Sequence, residues 1–477
     1  MKNNKELMNG FDRAYAELCK WDMRSITNDN PSAALVYLVF LKYTSDNKER
    51  LGLEFFEKYN FDYLVLLFKD KIEHNELVNH VASIEKQLGF ENGIMESFAN
   101  DIDLKKFSEQ TTIVLEILNA LDLSEDEGNT TVYDTLSAYL SLQSKRELRF
   151  ANNHITDINL AKLMAKLTEI DDNMTLYDFA SGYGFTLAET AKGKDVQVFA
   201  QDIDKESAAV SIMLMTMIGK SGAKVCCDDS ITNPLTADSN INRTFDRVIS
   251  VPPFGIRLTG ENATLKSGKQ ANAFEYGLGY RLNGDLVFAR HTLASLSSNG
   301  IGVLMLPSGV LFRSGVDKEI RSRMIEDNYI DAVIEMPSGI VAGTRIETSL
   351  IIFRKSRKNE DIYMLDLTKD QAKDYVESAG RTGIAITGEG IDAISNLVLK
   401  RKEVEGLSRL VERREILKND ANLCAGVYIE QPIEDSIEVE DITGILEESS
   451  KLYRELLDLD NRYNEVVREL RIDPNSL

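Results

Sequence analysis

The residues best suited to chemistry in this chain stand together at Val251-Pro252-Pro253-Phe254-Gly255. Two successive prolines bring no backbone donor, so they stop a β-strand and hold two carbonyl oxygens in fixed directions. Phe254 adds a ring for stacking, and the β-branched run Val248, Ile249 and Val251 reads as the buried strand that leads in. Ligands of open α/β sheets bind outside the carboxyl ends of the strands. This exit offers acceptors and a stacking face to whatever lies there.

A second set precedes it. Asp178-Phe179-Ala180-Ser181-Gly182-Tyr183-Gly184 joins a strand, Leu176 to Ala180, to a helix opening at Thr186. A strand, a tight G-x-G loop and a helix bring a cofactor close to bare backbone. The next strand, Val196 to Ala200, leads into Gln201-Asp202. Asp202 lies 20 residues beyond Gly182, where an acid binds a ribose hydroxyl pair. A dinucleotide fingerprint needs a third small residue three places after the second glycine, and that place is Leu187. With Asp178 just before the loop, the pattern suits S-adenosylmethionine, which has no pyrophosphate but carries cationic groups that a carboxylate helps hold. A third strand, Lys224 to Cys227, leads into Asp228-Asp229-Ser230, and an aspartate there is placed to meet the cofactor's adenine amino group.

Holding these residues requires strands alternating with helices from Thr175 onward. Further strands are expected at Gly302–Pro307, Ile330–Pro337 and Thr348–Lys355, the last as an edge or hairpin partner. That makes about seven strands in one doubly wound α/β sheet. Upstream, Leu7, Phe11, Tyr15 and Leu18 recur at helical spacing, and Asn30-Pro31-Ser32 is a helix start. The helix from Ala33 to Tyr43 is apolar nearly all round and is expected to be buried. Val132 to Leu140 reads as a short helix, and Thr156-Asp157 as the cap of another carrying Leu160, Leu163, Met164 and Leu167. Residues 259–282 are polar and glycine-rich, with Arg257, Lys266, Lys269 and Arg281 in or beside them. They read as a phosphate-contacting loop at the mouth of the site or as a plain surface loop. Near the C-terminus, Leu452, Leu456, Leu459, Tyr463, Val466 and Leu470 alternate at spacings of 4 and 3, the seam of a coiled coil or of a short hairpin.

Composition narrows the class. A net charge of −22 argues against a protein that coats nucleic acid unaided, while leaving room for a local basic face and a partner. The 4 cysteines and 4 histidines are scattered, so neither a disulfide framework nor a metal site is expected. The longest apolar run, Ala33 to Leu41, is too short to span a bilayer, and the N-terminus lacks a signal-peptide apolar region. The expected setting is cytoplasmic, with no membrane partner.

Taken in order, these motifs resemble the modification (methyltransferase) subunit of type I restriction-modification systems, within the N6-adenine DNA methyltransferases. Phe40-Leu41-Lys42-Tyr43-Thr44-Ser45-Asp46 is similar to that subunit's helical-domain motif. His154-Ile155-Thr156-Asp157 stands where the family has an aromatic-aromatic-Thr-Pro segment, and Asp178 to Gly184 resembles its D-P-A-C-G-S-G cofactor loop. Leu306-Pro307-Ser308-Gly309-Val310-Leu311-Phe312-Arg313 and Glu335-Met336-Pro337-Ser338-Gly339 are close to its later motifs. The resemblance implies a Rossmann-like methyltransferase fold acting on adenine N6 in double-stranded DNA. It implies S-adenosyl-L-methionine held by Thr156, Asp178, Ala180, Ser181, Gly182, Gly184, Asp202 and Asp229. A separate specificity subunit would choose the sequence, alongside a second methyltransferase subunit and a restriction subunit. The expected division is an N-terminal helical domain over 1–125 and a catalytic domain over 126–360. A mixed extension of it follows over 361–435, then an assembly helix over 436–477.

The chain departs from the family at Thr156-Asp157, where Asp157 replaces a proline, and, with more consequence for the chemistry, at the start of the catalytic stretch. The family's catalytic stretch begins with Asn or Asp before Pro-Pro and an aromatic, and here that residue is Val251. An amino nitrogen conjugated to a ring is a poor nucleophile. A side-chain oxygen and the first proline's carbonyl accept its two N–H bonds and draw it toward tetrahedral geometry. Val251 removes one acceptor and leaves the carbonyl of Pro252, with Pro253 and Phe254, to form the site. Either another polar residue replaces the acceptor, or the chain is a degenerate methyltransferase that binds cofactor and DNA in a structural or regulatory role. Methylation of a protein amide is a third reading.

Overall fold

Strands that are apolar on both faces must be covered on both sides, and the strand runs of this chain are of that kind. The computed structural model describes residues 4–22, 30–54, 60–69, 74–90, 92–102, 108–146, 155–235, 244–256, 284–341, 344–379, 383–430, 448–459 and 462. Met1–Glu430 forms one compact unit and Gln431–Leu477 a second. The expected boundaries at 125 and 360 fall inside the first unit.

The centre of that unit is a nine-stranded sheet. Its strands are β1 (Thr175–Asp178), β2 (Gln197–Asp202), β3 (Lys224–Cys227), β4 (Phe245–Ser250), β5 (Leu296–Pro307) and β6 (Ile330–Met336). They continue with β7 (Thr348–Arg354), β8 (Ile362–Asp366), then β9 (Val376–Ala379) and β10 (Gly383–Ile386), which pair apart, and β11 (Ser408–Val411). The order across the sheet is β11-β8-β6-β7-β5-β4-β1-β2-β3. From β3 to β5 all pairings are parallel, and β7 runs antiparallel to both its neighbours. The chain winds outward through β1, β2 and β3, then returns to lay β4 on the other side of β1. That reversal opens a crevice at the carboxyl ends of β1 and β4.

The expectation of about seven strands is corrected here. β8 and β11 come from residues 360–430, where mixed composition masked two short strands, yet every residue of β8 is buried. Of the two readings of Thr348–Lys355, the hairpin partner is the one observed: β7 pairs antiparallel with β6, the strand before it, and is not an edge. β7 bonds to β5 on one side and β6 on the other, and Leu350-Ile351-Ile352-Phe353, apolar on both faces, is buried throughout. Among the described residues, no helix is long and apolar enough to cross a membrane.

Among the described residues eight helices precede the sheet, the first seven being α1 (Asn4–Asp22), α2 (Pro31–Asp46), α3 (Phe61–Lys69), α4 (His74–Gln87), α5 (Ile94–Asp101), α6 (Ser108–Asn119) and α7 (Thr131–Arg146). Asn30 caps α2 by accepting from Ser32 N at 3.0 Å, and Pro31 to Thr44 are all buried, as the all-round apolar sequence predicts. α7 runs six residues past the expected Leu140. α8 (Ile158–Leu167) leads into β1, capped by Asp157, which accepts from Asn159 N and Leu160 N. Lys145 pairs with the same aspartate at 2.5 Å. After α9 (Phe185–Ala191) and β2 comes α10 (Lys205–Met217), buried from Ser207 to Met217. It can be buried all round because β2 and β3 lie on one side of it, and α2 and α5 on the other. α11 (Gly284–Ser295), α12 (Val316–Glu326), α13 (Gly388–Leu399) and α14 (Arg413–Lys418) complete the first unit. In the second, residues 448–459 are helical, with Leu452, Leu456 and Leu459 exposed. Tyr463, Val466 and Leu470 of the expected seam lie outside the described residues.

Candidate active site at the switch point of the sheet

The two stretches singled out in the sequence meet at this crevice. β1 ends in Asp178 and pairs in parallel with β4, which ends in Ser250. The Ser250 hydroxyl donates to Asp178 Oδ1 at 2.6 Å, joining the two strand ends. Asp178 is 1% exposed. It also accepts from Ala180 N at 3.0 Å and from Thr186 Oγ1 at 2.9 Å. Burial pushes its carboxyl up to about 7 against these hydrogen bonds, which pull it down. Asp178 therefore lies beneath the glycine loop and fixes its shape. Ser250, turned to that carboxylate and fully buried, does not face a substrate beside Val251.

The loop itself depends on two glycines in left-handed backbone, Gly182 (φ 51) and Gly184 (φ 82). A Cβ on Gly184 would stand 2.6 Å from Ser211 Oγ on α10, so only glycine lets the loop settle on that helix. Asp202, at the end of β2, accepts from Gly182 N at 2.7 Å. The acid and the glycine that sequence spacing linked are thus in direct contact. Ile203, the next residue, is 70% exposed, an aliphatic face beside the acid. The Ser181 hydroxyl is buried without a hydrogen-bond partner. An orphaned hydroxyl, bare loop backbone, an acid and an apolar face fit a nucleoside-bearing cofactor such as S-adenosylmethionine.

The loop is also tied to the first helices. Tyr183 OH donates to Glu206 Oε1 at 2.8 Å, and Asn30 Nδ2 donates to both of those oxygens at 2.6 Å. The residue that caps α2 thereby grips the glycine loop, a link no local pattern announces.

Beyond β4, Pro252 is buried and Pro253 exposed, while Val251 and Phe254 are half-buried against the larger apolar core. Gly255 turns the chain at φ 68. Two residues with no site role assigned from the sequence hold this exit. Gly255 N donates to Asp285 Oδ1 at 2.9 Å, and Arg313 Nη1 to Asp285 Oδ2 at 2.8 Å. Asp285 is 1% exposed in the first turn of α11. An acid one residue into a predicted helix after a glycine was the only signal for it.

Other expected residues stand apart. Asp229 accepts from Ile231 N and Thr232 Oγ1, closing its own turn after β3. Thr156 is half-buried one residue before the α8 cap. Among the described residues, neither bonds to the glycine loop or to the β4 exit. The basic stretch 259–282, Arg257 and His154 lie outside the described residues. No cluster of three or more metal-binding side chains occurs among the described residues.

Comparison with known proteins agrees with this geometry. The chain is 22% identical over 386 residues to the type I restriction enzyme MpnII methylase subunit of Mycoplasma pneumoniae, covering 77% of this chain and 69% of that one. It is 26% identical over 314 residues to the MjaVIII methylase subunit of Methanocaldococcus jannaschii, covering 64% of this chain and 54% of that relative. In fold it is similar to the type I restriction-modification methyltransferase subunit from Streptococcus thermophilus. That crystal structure superposes with a TM-score of 0.74 at 21% identity, covering 90% of this chain and all of the other. The fold is accordingly α/β and Rossmann-like. The sequence model of the N-6 DNA methylases matches residues 132–436. That span takes in the glycine loop, the Pro-Pro-Phe exit and every strand of the sheet, and the chain belongs to the N-6 DNA methylase family.

Proposed function

We propose that the protein transfers a methyl group from S-adenosylmethionine to adenine N6 in double-stranded DNA, as the modification subunit of a type I restriction-modification assembly. The observation that carries this reading is the Ser250–Asp178 hydrogen bond. It ties the exit presenting Pro-Pro-Phe to the loop suited to the cofactor, at the switch point of the sheet.

Bound there, S-adenosylmethionine supplies an electrophilic methyl group. The chain's own residues bind and orient. Ala180, Ser181, Gly182 and Gly184 line the cofactor, with Thr156 a further contact on the family resemblance. Asp202 takes the ribose hydroxyls, and Ile203 offers an apolar face to the adenine ring. Asp178 and Asp229, whose oxygens serve their own loops, keep those loops in shape. Phe254 stacks on the extruded target base, and the Pro252 carbonyl accepts one of its amino N–H bonds. A partner specificity subunit reads the bases, which reconciles a net charge of −22 with a DNA substrate. A second methyltransferase subunit and a restriction subunit complete the assembly in the cytoplasm.

Val251 favours a second reading, a cofactor- and DNA-binding subunit whose transfer step has degenerated. It contributes no acceptor, and Ser250 is held by Asp178. By analogy with an oxyanion-hole donor, losing one such contact costs about 100–1,000-fold in rate. Labelled methyl transfer to unmethylated DNA, with the specificity subunit present, separates the two readings. Wild-type transfer within about tenfold of Val251→Asn supports the active enzyme. Transfer in the Asn variant alone supports the degenerate one.

A further inference from the structure

The exit loop is held by an acid that also holds a cation, and the cation reaches solvent. Asp285 is buried and bridges Gly255 N to the Arg313 guanidinium. Arg313 follows the carboxyl end of β5, the strand beside β4. Its backbone is set by Arg313 N donating to Gly309 O at 3.0 Å, and its carbonyl accepts from the buried Arg321 at 3.0 Å. Its guanidinium lies flat on Gly309, where an added Cβ would come within 2.7 Å of Nη2 and 2.8 Å of Nε. Asp317 stands 3.8 Å from Nη1, on the side already occupied by Asp285. The side chain remains 33% exposed. Next to it, Phe312 is 56% exposed. A fixed guanidinium with a free edge, an exposed phenylalanine beside it, and the Pro-Pro-Phe exit one carboxylate away are the components of a nucleotide contact.

Resting on the nucleobase reading of that exit, we propose that Arg313 binds the backbone phosphate adjoining the nucleotide whose base enters the Pro-Pro-Phe pocket. Asp285 is the positioning residue. Because one carboxylate holds both Gly255 and Arg313, the phosphate site and the base site keep a fixed separation. Phosphate and base are then gripped as one unit, and the grip is independent of sequence, as a subunit relying on a partner for base choice needs.

The test uses the full chain with S-adenosylhomocysteine and the single strand d(TTATT), in parallel with the same strand carrying neutral methylphosphonates on either side of the adenine. Wild type is expected to bind the phosphodiester strand about tenfold more tightly than the neutral one. Arg313→Gln abolishes that preference and lowers the slope of log affinity against log salt by about 0.7. Gly309→Ala keeps the charge but displaces the guanidinium, and at this non-strained position the fold tolerates the change. It is expected to lose most of the preference. Cofactor affinity stays at the wild-type value in both variants, which separates a phosphate contact from a collapsed site. Binding with the wild-type methylphosphonate penalty retained in Arg313→Gln would overturn the proposal and leave the nucleobase reading intact. Failure of wild type to bind either strand would overturn the nucleobase reading, and this inference with it.

Discussion

The cofactor side of the site turns on Asp178. The sequence places an acid before the glycine loop but not what faces it, because Ser250 and Thr186 are 72 and 8 residues away. Burial raises its carboxyl to about 7. The folded chain thus keeps a proton that the unfolded chain gives up above the ordinary carboxylate value near 4. Its contribution to stability is complete below that value and is lost as pH rises to about 7. Denaturant melts of wild type and Asp178→Asn should show this slope in the wild type alone. The same ionisation acts on ligand binding. An ionised Asp178 attracts a sulfonium, so S-adenosylmethionine affinity should rise between about pH 6 and pH 8. The rise should be smaller for S-adenosylhomocysteine, which lacks that charge, and absent in Asp178→Asn. Titration calorimetry reads all three, and a flat wild-type profile would contradict the assignment.

At the level of elements, strands and helices with local signals were legible and those defined by remote cover were not. β4 stood out through its β-branched run before two prolines, β1 and β2 through apolar runs that lead into the glycine loop and an acid, and α2 through Asn30-Pro31. β7 was legible as a hairpin partner but not as a central strand, because a two-faced apolar run marks burial without naming neighbours. β11, four residues long, is defined by its partner β8 more than by its own composition. Of the site, Gly182, Asp202 and Pro-Pro-Phe followed from spacing. Asp285 and Arg313 did not, since their meaning is a contact between α11 and the segment after β5. The glycine loop is the element most open to a direct test. Gly184→Ala puts a Cβ at φ 82 against Ser211, so it should destabilise the fold by about 1–3 kcal/mol in denaturant titration and abolish cofactor binding.

Across the first unit, the N-terminal helices serve as cover as well as scaffold. α10 is apolar on the face that α2 and α5 occupy, and Tyr43 OH donates to Met217 O at 3.1 Å at the end of that contact. A chain beginning at residue 126 would bare that face and lose the Asn30 grip on Tyr183. It should bind an apolar dye and melt at a lower temperature than the full chain, and matching melts would show the helices to be dispensable. The antiparallel insertion of β7 has a consequence for synthesis. β5 and β6 leave the ribosome before β7, yet they do not pair with each other; β5 docks on β4, while β6 meets the sheet only through strands that follow it. Until Thr348–Arg354 emerges, β5 carries an open edge and β6 has no neighbour. The nascent protein therefore passes through an interval in which a long apolar strand edge is exposed to other chains. That interval ends when seven residues slide between two strands already made, so pausing just before this segment should favour aggregation and pausing just after it should not.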